Sequence, residues 1–400
     1  MKIGIIKEGK TPPDKRVSLT PAHCAQLKQA HPELEIKVQR SPIRCFQDDA
    51  YANAGIELVD NVKDCDVIFG VKEVKHEMLA EGKTMLFFSH TIKKQPYNRD
   101  LLLEVLKKKI RLIDYETLTY SNGFRVLGFG RFAGIVGAYN ALIAHGKRYN
   151  SFELKPAFQC EDMKEMGREM EKVEIGNAKI IISGGGKVAK GSKETLNAAG
   201  IREVSIPEFL NDTFDEPVYC NADILDYHEK DGKAPASFGE FVKDSTVWEN
   251  TFTKFTKVAD IFISAHFWDN KSAHFFTEED VKSDDFKVKV IADITCDIKG
   301  SVATTLRPST IAEPIYGYDK TTGEEADSYA ENSITIMAVD NLPCEVPKDA
   351  SEGFGQDLIE SIIPLFLGDD PDKVLARATI AQDGKLTEYF SYLQDYADGK

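Results

Sequence analysis

Three ionisable side chains follow short apolar runs in the first third of the chain. Lys72 comes after CDVIFGV, His90 after TMLFFS and Glu116 after IRLIDY. If these runs are strands of an open parallel sheet, their carboxyl ends meet at the edge where such folds bind ligands. A lysine desolvated in a cleft can lose its proton near neutral pH, and histidine titrates there, so the pair could perform acid–base catalysis. The alternative is that each side chain is only a solvated strand end or a structural histidine.

Basic residues close to these positions could hold carboxylates. Arg16 lies in the loop after the first apolar run, and both Arg16 and Arg125 could grip a carboxylate bidentately. Lys94 and Arg99 belong to the run KKQPYNR, which concentrates positive charge in an otherwise acidic protein. Beside a cleft this run would attract a polycarboxylate substrate, whereas elsewhere it would be an exposed helix start.

A nucleotide-binding turn is predicted near the middle of the chain. The triplet Gly184-Gly185-Gly186 follows the apolar run Ile180–Ile182 and precedes helix-forming residues from Lys187 to Ala199. With Ala189, the spacing fits the dinucleotide fingerprint G-x-G-x-x-A, whose glycines allow a tight turn and a close approach to pyrophosphate. The pyrophosphate would lie at the helix N-terminus, where unpaired N–H groups favour an anion. A glycine triplet alone is often only a turn, but the flanking strands and helix favour nucleotide binding.

Further cofactor contacts are expected at other strand ends. A second strand at Glu203–Ile206 would bring Glu208 to the ribose hydroxyls, and its carboxylate would repel a 2′-phosphate. NAD is therefore favoured, with NADP as the alternative. Asp297 and the pair Asp340-Asn341 follow apolar runs in the last third of the chain, although Asp297 could be a hinge cap and Asn341 a turn residue. The predicted cofactor-binding residues are Gly184, Gly185, Gly186, Lys187, Val188, Glu208, Asp297, Asp340 and Asn341.

Two α/β domains are needed to position these residues. Strand-like and helix-like segments alternate in the first third, which predicts a parallel sheet covered by helices on both faces. We expect two Rossmann-like domains with an interdomain cleft: residues 1–140 plus 342–400 for substrate and catalysis, and 141–341 for NAD(P). Residues 218–255 are predicted to be an insertion. Helices are expected at 132–147, 356–367, 371–380 and 385–396, the last three returning to the first domain.

Composition limits the classes of partner. The 400 residues carry a net charge of −15, which argues against nucleic acid or an anionic membrane as the main partner. No apolar run approaches the ~18 residues of a membrane span, and the start, MKIGIIKEGK, does not resemble a signal peptide. The seven cysteines are scattered without a C-x-x-C pair, which predicts a reduced, cytoplasmic chain without a disulfide framework or zinc site. The oligomeric state cannot be inferred.

Several blocks of the sequence are similar to a known family. KEGKTPPDKRVSLTP resembles the opening of the alanine dehydrogenase/pyridine nucleotide transhydrogenase superfamily. FFSHTIKKQPYN, RLIDYETLTYSNGFRVLGFGRFAGIVGA, ADITCDIKGSVATT and DNLPCEVPKDASEGFG resemble its saccharopine dehydrogenase (lysine-forming) and lysine–ketoglutarate reductase branch. The likeness runs in order from residue 1 to about residue 367. It implies two Rossmann-like domains that convert saccharopine, NAD(P)+ and water reversibly into lysine, 2-oxoglutarate and NAD(P)H.

The resemblance also implies residue roles. Lys72 in GVKE and His90 in FSHT would be the acid–base pair, and Glu116 in DYETL would tune the lysine. Arg16 and Arg125 would hold substrate carboxylates. Two alternatives stay open. One is alanine dehydrogenase, because GGGKVAKGS resembles the glycine turn of that enzyme, and the other is a non-catalytic nucleotide-binding sensor. The presence of both Lys72 and His90 argues against the sensor.

Overall fold

The protein, described here by a computed structural model covering residues 1–268 and 270–400, consists of alternating strands and helices. The strands are β1 (Lys2–Ile5), β2 (Glu35–Gln39), β3 (Glu57–Val59), β4 (Val67–Phe69), β5 (Thr84–Phe87), β6 (Arg111–Asp114), β7 (Lys179–Ser183), β8 (Arg202–Glu203), β9 (Val218–Ala222), β10 (His228–Glu229), β11 (Glu249–Asn250), β12 (Ile261–Ser264), β13 (Val290–Asp293), β14 (Ile315–Asp319), β15 (Glu325–Ala326), β16 (Ser333–Met337), β17 (Thr379–Gln382) and β18 (Lys385–Leu386).

The α-helices are α1 (Pro21–Ala30), α2 (Asp48–Asn53), α3 (Arg99–Lys107), α4 (Gly130–Tyr149), α5 (Met163–Met170), α6 (Lys187–Ala198), α7 (Ile206–Asn211), α8 (Phe238–Lys243), α9 (Thr253–Thr256), α10 (Glu278–Lys282), α11 (Pro347–Ser361), α12 (Ile363–Leu367), α13 (Val374–Ala378) and α14 (Gln394–Asp398). No helix in the described ranges is both long and apolar enough to cross a bilayer.

The chain divides into two compact units. Unit 1 contains Met1–Phe129 and Pro347–Lys400, and unit 2 contains Gly130–Val346. The boundaries expected from the sequence, at 140 and 341, differ because the whole of α4 and the 3-10 helix Leu342–Glu345 belong to unit 2. There α4 packs against α6, and Gly134 and Gly191 make the close approach possible. A Cβ atom on Gly134 would lie 1.8 Å from the carbonyl oxygen of Val188, and one on Gly191 would lie 2.0 Å from that of Arg131.

Unit 1 contains an eight-stranded sheet with the order β18-β17-β6-β5-β4-β1-β2-β3. The six strands from β6 to β3 are parallel, as predicted. The apolar runs of the central strands β1, β4, β5 and β6 are buried, as is usual for parallel sheets covered by helices. The antiparallel strands β17 and β18 extend the sheet beyond β6.

These last two strands contradict part of the sequence prediction. Residues 379–386 form a β-hairpin, where the ends of two helices were expected. Asp383 and Gly384 have φ angles of 52° and 80°, which suits the two central residues of a tight hairpin turn. The Asp-Gly pair is a strong hairpin signal that the helical reading of this segment ignored.

Unit 2 has the order β15-β14-β16-β13-β12-β7-β9-β8. The strands from β16 to β8 are parallel, and β14 and β15 are antiparallel additions next to β16. The strand β9 pairs directly with β7, so residues 218–222 belong to the central sheet. The predicted insertion therefore begins only after this strand.

The segment after α6 also differs from the prediction. The strand expected at Glu203–Ile206 is only the two-residue edge strand β8, and α7 begins at Ile206. Ser205 accepts a hydrogen bond from the Glu208 backbone N–H, and the Glu208 carboxylate accepts one from the Ser205 N–H. This reciprocal capping box starts a helix and removes residue 208 from any strand end.

Candidate active site

The predicted acid–base residues lie at one edge of the unit 1 sheet. Because β4, β5 and β6 are parallel neighbours, the segments that follow them emerge at the same edge. Lys72 follows β4, His90 follows β5, and Glu116 follows β6. The structure therefore brings the three residues to adjacent strand ends, as the sequence argument required.

Glu8 holds the backbone at Lys72. One carboxylate oxygen accepts the N–H of Val71 and the other accepts the N–H of Lys72, both at 2.8 Å. Burial and the negative charge of Asp14 raise the pKa of Glu8 to about 8. Burial also lowers the pKa of Lys72, and the positive charges of Arg16 and Lys10 lower it further. A lysine in this environment loses its proton more readily than a solvated one.

His90 is oriented by a carboxylate that sequence reasoning missed. Its Nδ1 lies 2.5 Å from Oε1 of Glu73, and Lys10 Nζ is 3.4 Å from Oε2 of Glu73. Burial opposes ionisation of Glu73, but the hydrogen bond and charge of His90 outweigh it and bring the pKa of Glu73 to about 2. Glu73 is the residue directly after Lys72, so its place in GVKE was the available signal.

Arg16 is buried and paired within unit 1. Its side chain is 1% exposed, and its guanidinium donates to both carboxylate oxygens of Asp14, at 3.0 and 2.6 Å. The guanidinium carbon also lies 4.2 Å from the centre of the Phe129 ring. Arg16 thus adds positive charge near Lys72, while Asp14 holds its fork in place.

Glu116 and Arg125 form an ion pair. Arg125 Nη2 donates to Glu116 Oε1 at 3.0 Å, and Lys93 Nζ lies 3.9 Å from the same oxygen. The largest electrostatic influences on Lys72 come from Arg16 and Lys10 rather than from Glu116. The side chain of Arg125 is 58% exposed, so most of its guanidinium faces solvent.

The two remaining predicted substrate residues contact the C-terminal segment. Arg99 donates to the carbonyl oxygens of Tyr396 and Ala397, at 2.9 and 2.7 Å. Lys94 Nζ lies 5.2 Å from the centre of the Tyr392 ring. The Arg99 guanidinium thus holds the backbone around α14, and Lys94 is in cation–π range of an aromatic ring. The substrate roles of both residues stay predictions.

A pocket of about 500 Å³ adjoins the His90–Glu73 pair within unit 1. Glu73, Lys10, His76, Tyr97 and Asn98 are among its lining residues. The space is large enough for a small-molecule substrate.

The glycine turn of unit 2 is shaped by its neighbours. Gly184 has φ 101°, and a Cβ atom there would lie 2.5 Å from the carbonyl oxygen of Ala265. Gly185 and Gly186 are exposed, and nothing lies within 4 Å of a Cβ position at Gly186. Lys187 and Val188 begin α6 directly after the turn. A tight turn and an open helix N-terminus together form a cradle that fits a pyrophosphate.

The carboxylate beside this cradle belongs to Asp223 rather than Glu208. Asp223 follows β9, the strand next to β7, and its Oδ2 would lie 3.6 Å from a Cβ atom on Gly185. Glu208 is exposed on α7, where its carboxylate completes the capping box. Sequence reasoning missed Asp223 because VYCNA was assigned to the insertion, although an acid directly after an apolar run was the available signal.

The other predicted nucleotide residues follow β13 and β16. Asp297 is exposed in a turn whose Gly300 N–H donates to the Asp297 carbonyl oxygen at 2.9 Å. Asp340 is exposed, and Asn341 has a left-handed φ of 67° before a short 3-10 helix, Leu342–Glu345. Because the strands are parallel, these segments emerge at the same edge of the sheet as the glycine turn. In the strand order, β13 is two positions and β16 three positions from β7.

Known proteins resemble the chain along nearly all of its length. The alanine dehydrogenase/PNT N-terminal domain matches residues 4–136, and the alanine dehydrogenase/PNT C-terminal domain matches residues 160–389. An alpha-aminoadipic semialdehyde synthase of Arabidopsis thaliana is 26% identical over 98% of this chain, which spans 41% of that protein's length. A saccharopine dehydrogenase [NAD(+), L-lysine-forming] of Emericella nidulans is 26% identical, with 88% of this chain and 89% of that protein covered.

The fold has a solved counterpart. An L-alanine dehydrogenase structure aligns with a TM-score of 0.66 and 17% identity, covering 100% of this chain and 99% of that one. Identity at this level shows the shared fold of two Rossmann-like domains alone. The two domain matches together account for most of the sequence, and the chain therefore belongs to the alanine dehydrogenase/PNT family.

Proposed function

We propose that the chain is an NAD-dependent amino-acid dehydrogenase whose substrate is saccharopine. It would convert saccharopine, NAD+ and water into lysine, 2-oxoglutarate, NADH and a proton. The observation that carries this proposal is the placement of Lys72 and His90 at adjacent strand ends, where Glu8 holds the Lys72 backbone and Glu73 contacts the His90 ring. The saccharopine dehydrogenase of Emericella nidulans, which aligns over nearly its whole length, favours this substrate over alanine.

The nucleotide would lie on the edge of the unit 2 sheet. Gly184, Gly185 and Gly186 with the first N–H groups of α6 would hold the pyrophosphate. Asp223 would accept the ribose hydroxyls, and its charge would disfavour the 2′-phosphate of NADP. The bound nicotinamide would supply the hydride acceptor, while the residues of unit 1 would handle protons and carboxylates.

Lys72 is suited to take the proton from the secondary amine. Its pKa is lowered by burial and by the charges of Arg16 and Lys10, which increases the neutral fraction. Glu8 fixes the backbone from which the side chain extends. A neutral lysine so held would accept the amine proton as the hydride leaves the neighbouring carbon.

His90 is suited to activate water. With Nδ1 protonated and donating to Glu73, the lone pair on Nε2 can accept a proton from the water that attacks the imine carbon. The imidazolium formed would be stabilised by Glu73, whose low pKa keeps it ionised. The same histidine could return the proton when the carbon–nitrogen bond breaks.

Two arginines would bind substrate carboxylates by different means. Arg125 presents an exposed guanidinium that is only partly engaged by Glu116, so it can grip a carboxylate directly. Arg16 is enclosed and would contribute mainly through its positive charge. Asp297, Asp340 and Asn341 are proposed to line the nicotinamide end of the unit 2 edge.

The decisive experiment is a steady-state screen with the full chain. NADH oxidation would be followed with lysine plus 2-oxoglutarate and, separately, with ammonium plus pyruvate, and both would be repeated with NADPH. We expect turnover with lysine and 2-oxoglutarate and a preference for NADH. Turnover only with pyruvate and ammonium would assign the chain to the alanine reaction, and nucleotide binding without turnover in either mixture would favour a sensor.

A further inference from the structure

His266 forms a buried bridge between two serines in unit 2. Its Nδ1 lies 2.7 Å from the hydroxyl of Ser183, and its Nε2 lies 2.7 Å from the hydroxyl of Ser301. Both serines are fully buried, and His266 is 8% exposed. The ring also stacks on Phe275, with 3.9 Å between centroids and 20° between planes. No predicted catalytic or nucleotide contact used this histidine.

The bridge requires a neutral imidazole. Burial, together with the charge of the nearby His228, lowers the pKa of His266 to about 3. Within residues 1–268 and 270–400, the groups that face the ring are the two serine hydroxyls, Phe275 and His228, and none of these carries a negative charge. A neutral imidazole has one N–H donor and one acceptor nitrogen. One serine therefore donates to the ring and the other accepts from it, which satisfies both nitrogens.

The two serines belong to segments that frame the glycine turn. Ser183 is the last residue of β7 and directly precedes Gly184. Ser301 directly follows the turn from Asp297 to Gly300, and its carbonyl oxygen accepts the Phe275 N–H at 3.0 Å. His266 itself follows β12, and its Cα would lie only 2.7 Å from a Cβ atom on Gly184. The His266 side chain thus connects the carboxyl ends of three neighbouring strands, β7, β12 and β13, or the segments that follow them.

We propose that His266 is a positioning residue that holds the glycine turn and the 297–301 turn in register for a dinucleotide. This inference rests on the nucleotide-binding part of the proposed function. The bridge acts through Ser183 and Ser301, since the imidazole is buried beneath the edge. The geometry that receives a pyrophosphate and a nicotinamide riboside would relax if either hydrogen bond were lost.

The test is titration of the full chain with NADH, followed by NADH fluorescence in the absence of substrate. His266→Phe keeps an aromatic ring against Phe275 but removes both hydrogen bonds, whereas His266→Gln keeps one donor and one acceptor. Two buried hydroxyls lose a partner in the first variant, so we expect its dissociation constant for NADH to rise about ten- to a hundredfold. The glutamine variant should recover much of the affinity.

His145→Phe is the matched control. His145 is also a buried histidine of unit 2, with a pKa lowered to about 4 by burial, but it lies on α4 against Tyr149 and Phe152. We expect this variant to lower the melting temperature without changing NADH affinity. Ser183→Ala added to His266→Phe should cost little more affinity, because the bridge is already broken.

Three outcomes separate the possibilities. Unchanged NADH affinity in His266→Phe would overturn the bridge even if the melting temperature fell. The pH dependence of NADH affinity gives a second criterion. If the affinity of the parent protein changed between about pH 5 and 8, and that of His266→Phe did not, the proposed neutral bridge would also be overturned, because a neutral imidazole should not change its charge in that range. A parent protein that binds neither NADH nor NADPH would instead refute the proposed function.

Discussion

Lys72 and His90 are held by carboxylates in two different ways. Glu8 accepts backbone N–H groups and leaves the Lys72 amine to its surroundings, whereas Glu73 contacts the His90 ring directly. The first arrangement fixes where a side chain begins, and the second fixes which ring nitrogen carries the proton. This difference supports the proposed roles of Lys72 as the acceptor of the amine proton and of His90 as the activator of water.

Replacing Lys72 tests its role in proton transfer. In Lys72→Met the side chain keeps its length but loses the amine, so turnover should fall about a hundredfold or more, measured as kcat under saturating substrates. Lys63→Met, at an exposed lysine before β4, is the control and should retain full turnover. Equal kcat in the two variants would remove Lys72 from the mechanism.

The preference for NADH over NADPH tests which carboxylate binds the ribose hydroxyls. Asp223→Ala should weaken NADH binding and bring the NADPH and NADH dissociation constants closer together, because the charge that opposes a 2′-phosphate is gone. Glu208→Ala should leave the ratio of the two constants unchanged and lower only stability, because the capping interaction with Ser205 is lost. If the Glu208 variant alone changed the ratio, the assignment from the fold would be reversed.

At this scale the sequence could predict positions but not partners. Lys72 and His90 could be located because each follows an apolar run, and parallel strands end at a common edge. Glu8, Glu73 and Asp223 were missed, because the sequence shows where a carboxylate lies but not which groups the fold brings near it. The same holds for Arg99, because its charge is visible in the sequence but the carbonyl groups of α14 that it contacts are not.

The β7–α6 turn gives two glycines with separable roles. Gly184→Ala would place a Cβ atom 2.5 Å from Ala265 and strain a positive φ, so we expect a loss of roughly 1–3 kcal/mol in the free energy of unfolding. Gly186→Ala meets open space at an ordinary φ and should keep stability while weakening NADH binding, since its methyl group enters the pyrophosphate cradle. Urea denaturation and NADH titration distinguish these effects; similar stability losses in both variants would contradict the division.

Among the elements, the buried parallel strands could be predicted, whereas the hairpin β17–β18 and the helix α7 could not. The apolar runs of β4, β7 and β12 are buried on both faces, so their composition alone signals a parallel sheet. The hairpin β17–β18 and the helix α7 depend on an Asp-Gly turn and a Ser-x-x-Glu cap. Such local signals occupy a few residues and are outweighed by periodicity over a longer window.

For the molecule as a whole, Glu345 should make stability depend on pH. It is 3% exposed and accepts a hydrogen bond from Asn140 at 2.9 Å, and burial raises its pKa to about 7. A carboxyl group whose pKa is raised on folding stabilises the protein below its unfolded pKa. That contribution is lost as the pH rises towards about 7, and amounts to roughly 3 kcal/mol at most.

Glu345→Gln should therefore flatten the decline in unfolding free energy between about pH 5 and pH 8, measured by urea denaturation. Glu325→Gln is the control, because Glu325 is exposed and its pKa is lowered by Arg307. A decline as steep as in the parent protein would show that Glu345 is ionised in the folded state across this range.

The division of the chain has a consequence for how it folds. Unit 1 closes its sheet by pairing β6 with β17, and Arg111 contacts Thr379 across 268 residues. All of unit 2 lies inside that loop. Within unit 2, Asn140 of its first helix, α4, donates a hydrogen bond to Glu345, which lies next to the last residue of the unit. A loop of this length has a high closure entropy unless its interior is already compact. Unit 2 would therefore fold before unit 1 is complete. Once it has formed, its ends bring the two segments of unit 1 close together, and the slow search for the pairing of β6 with β17 is largely avoided.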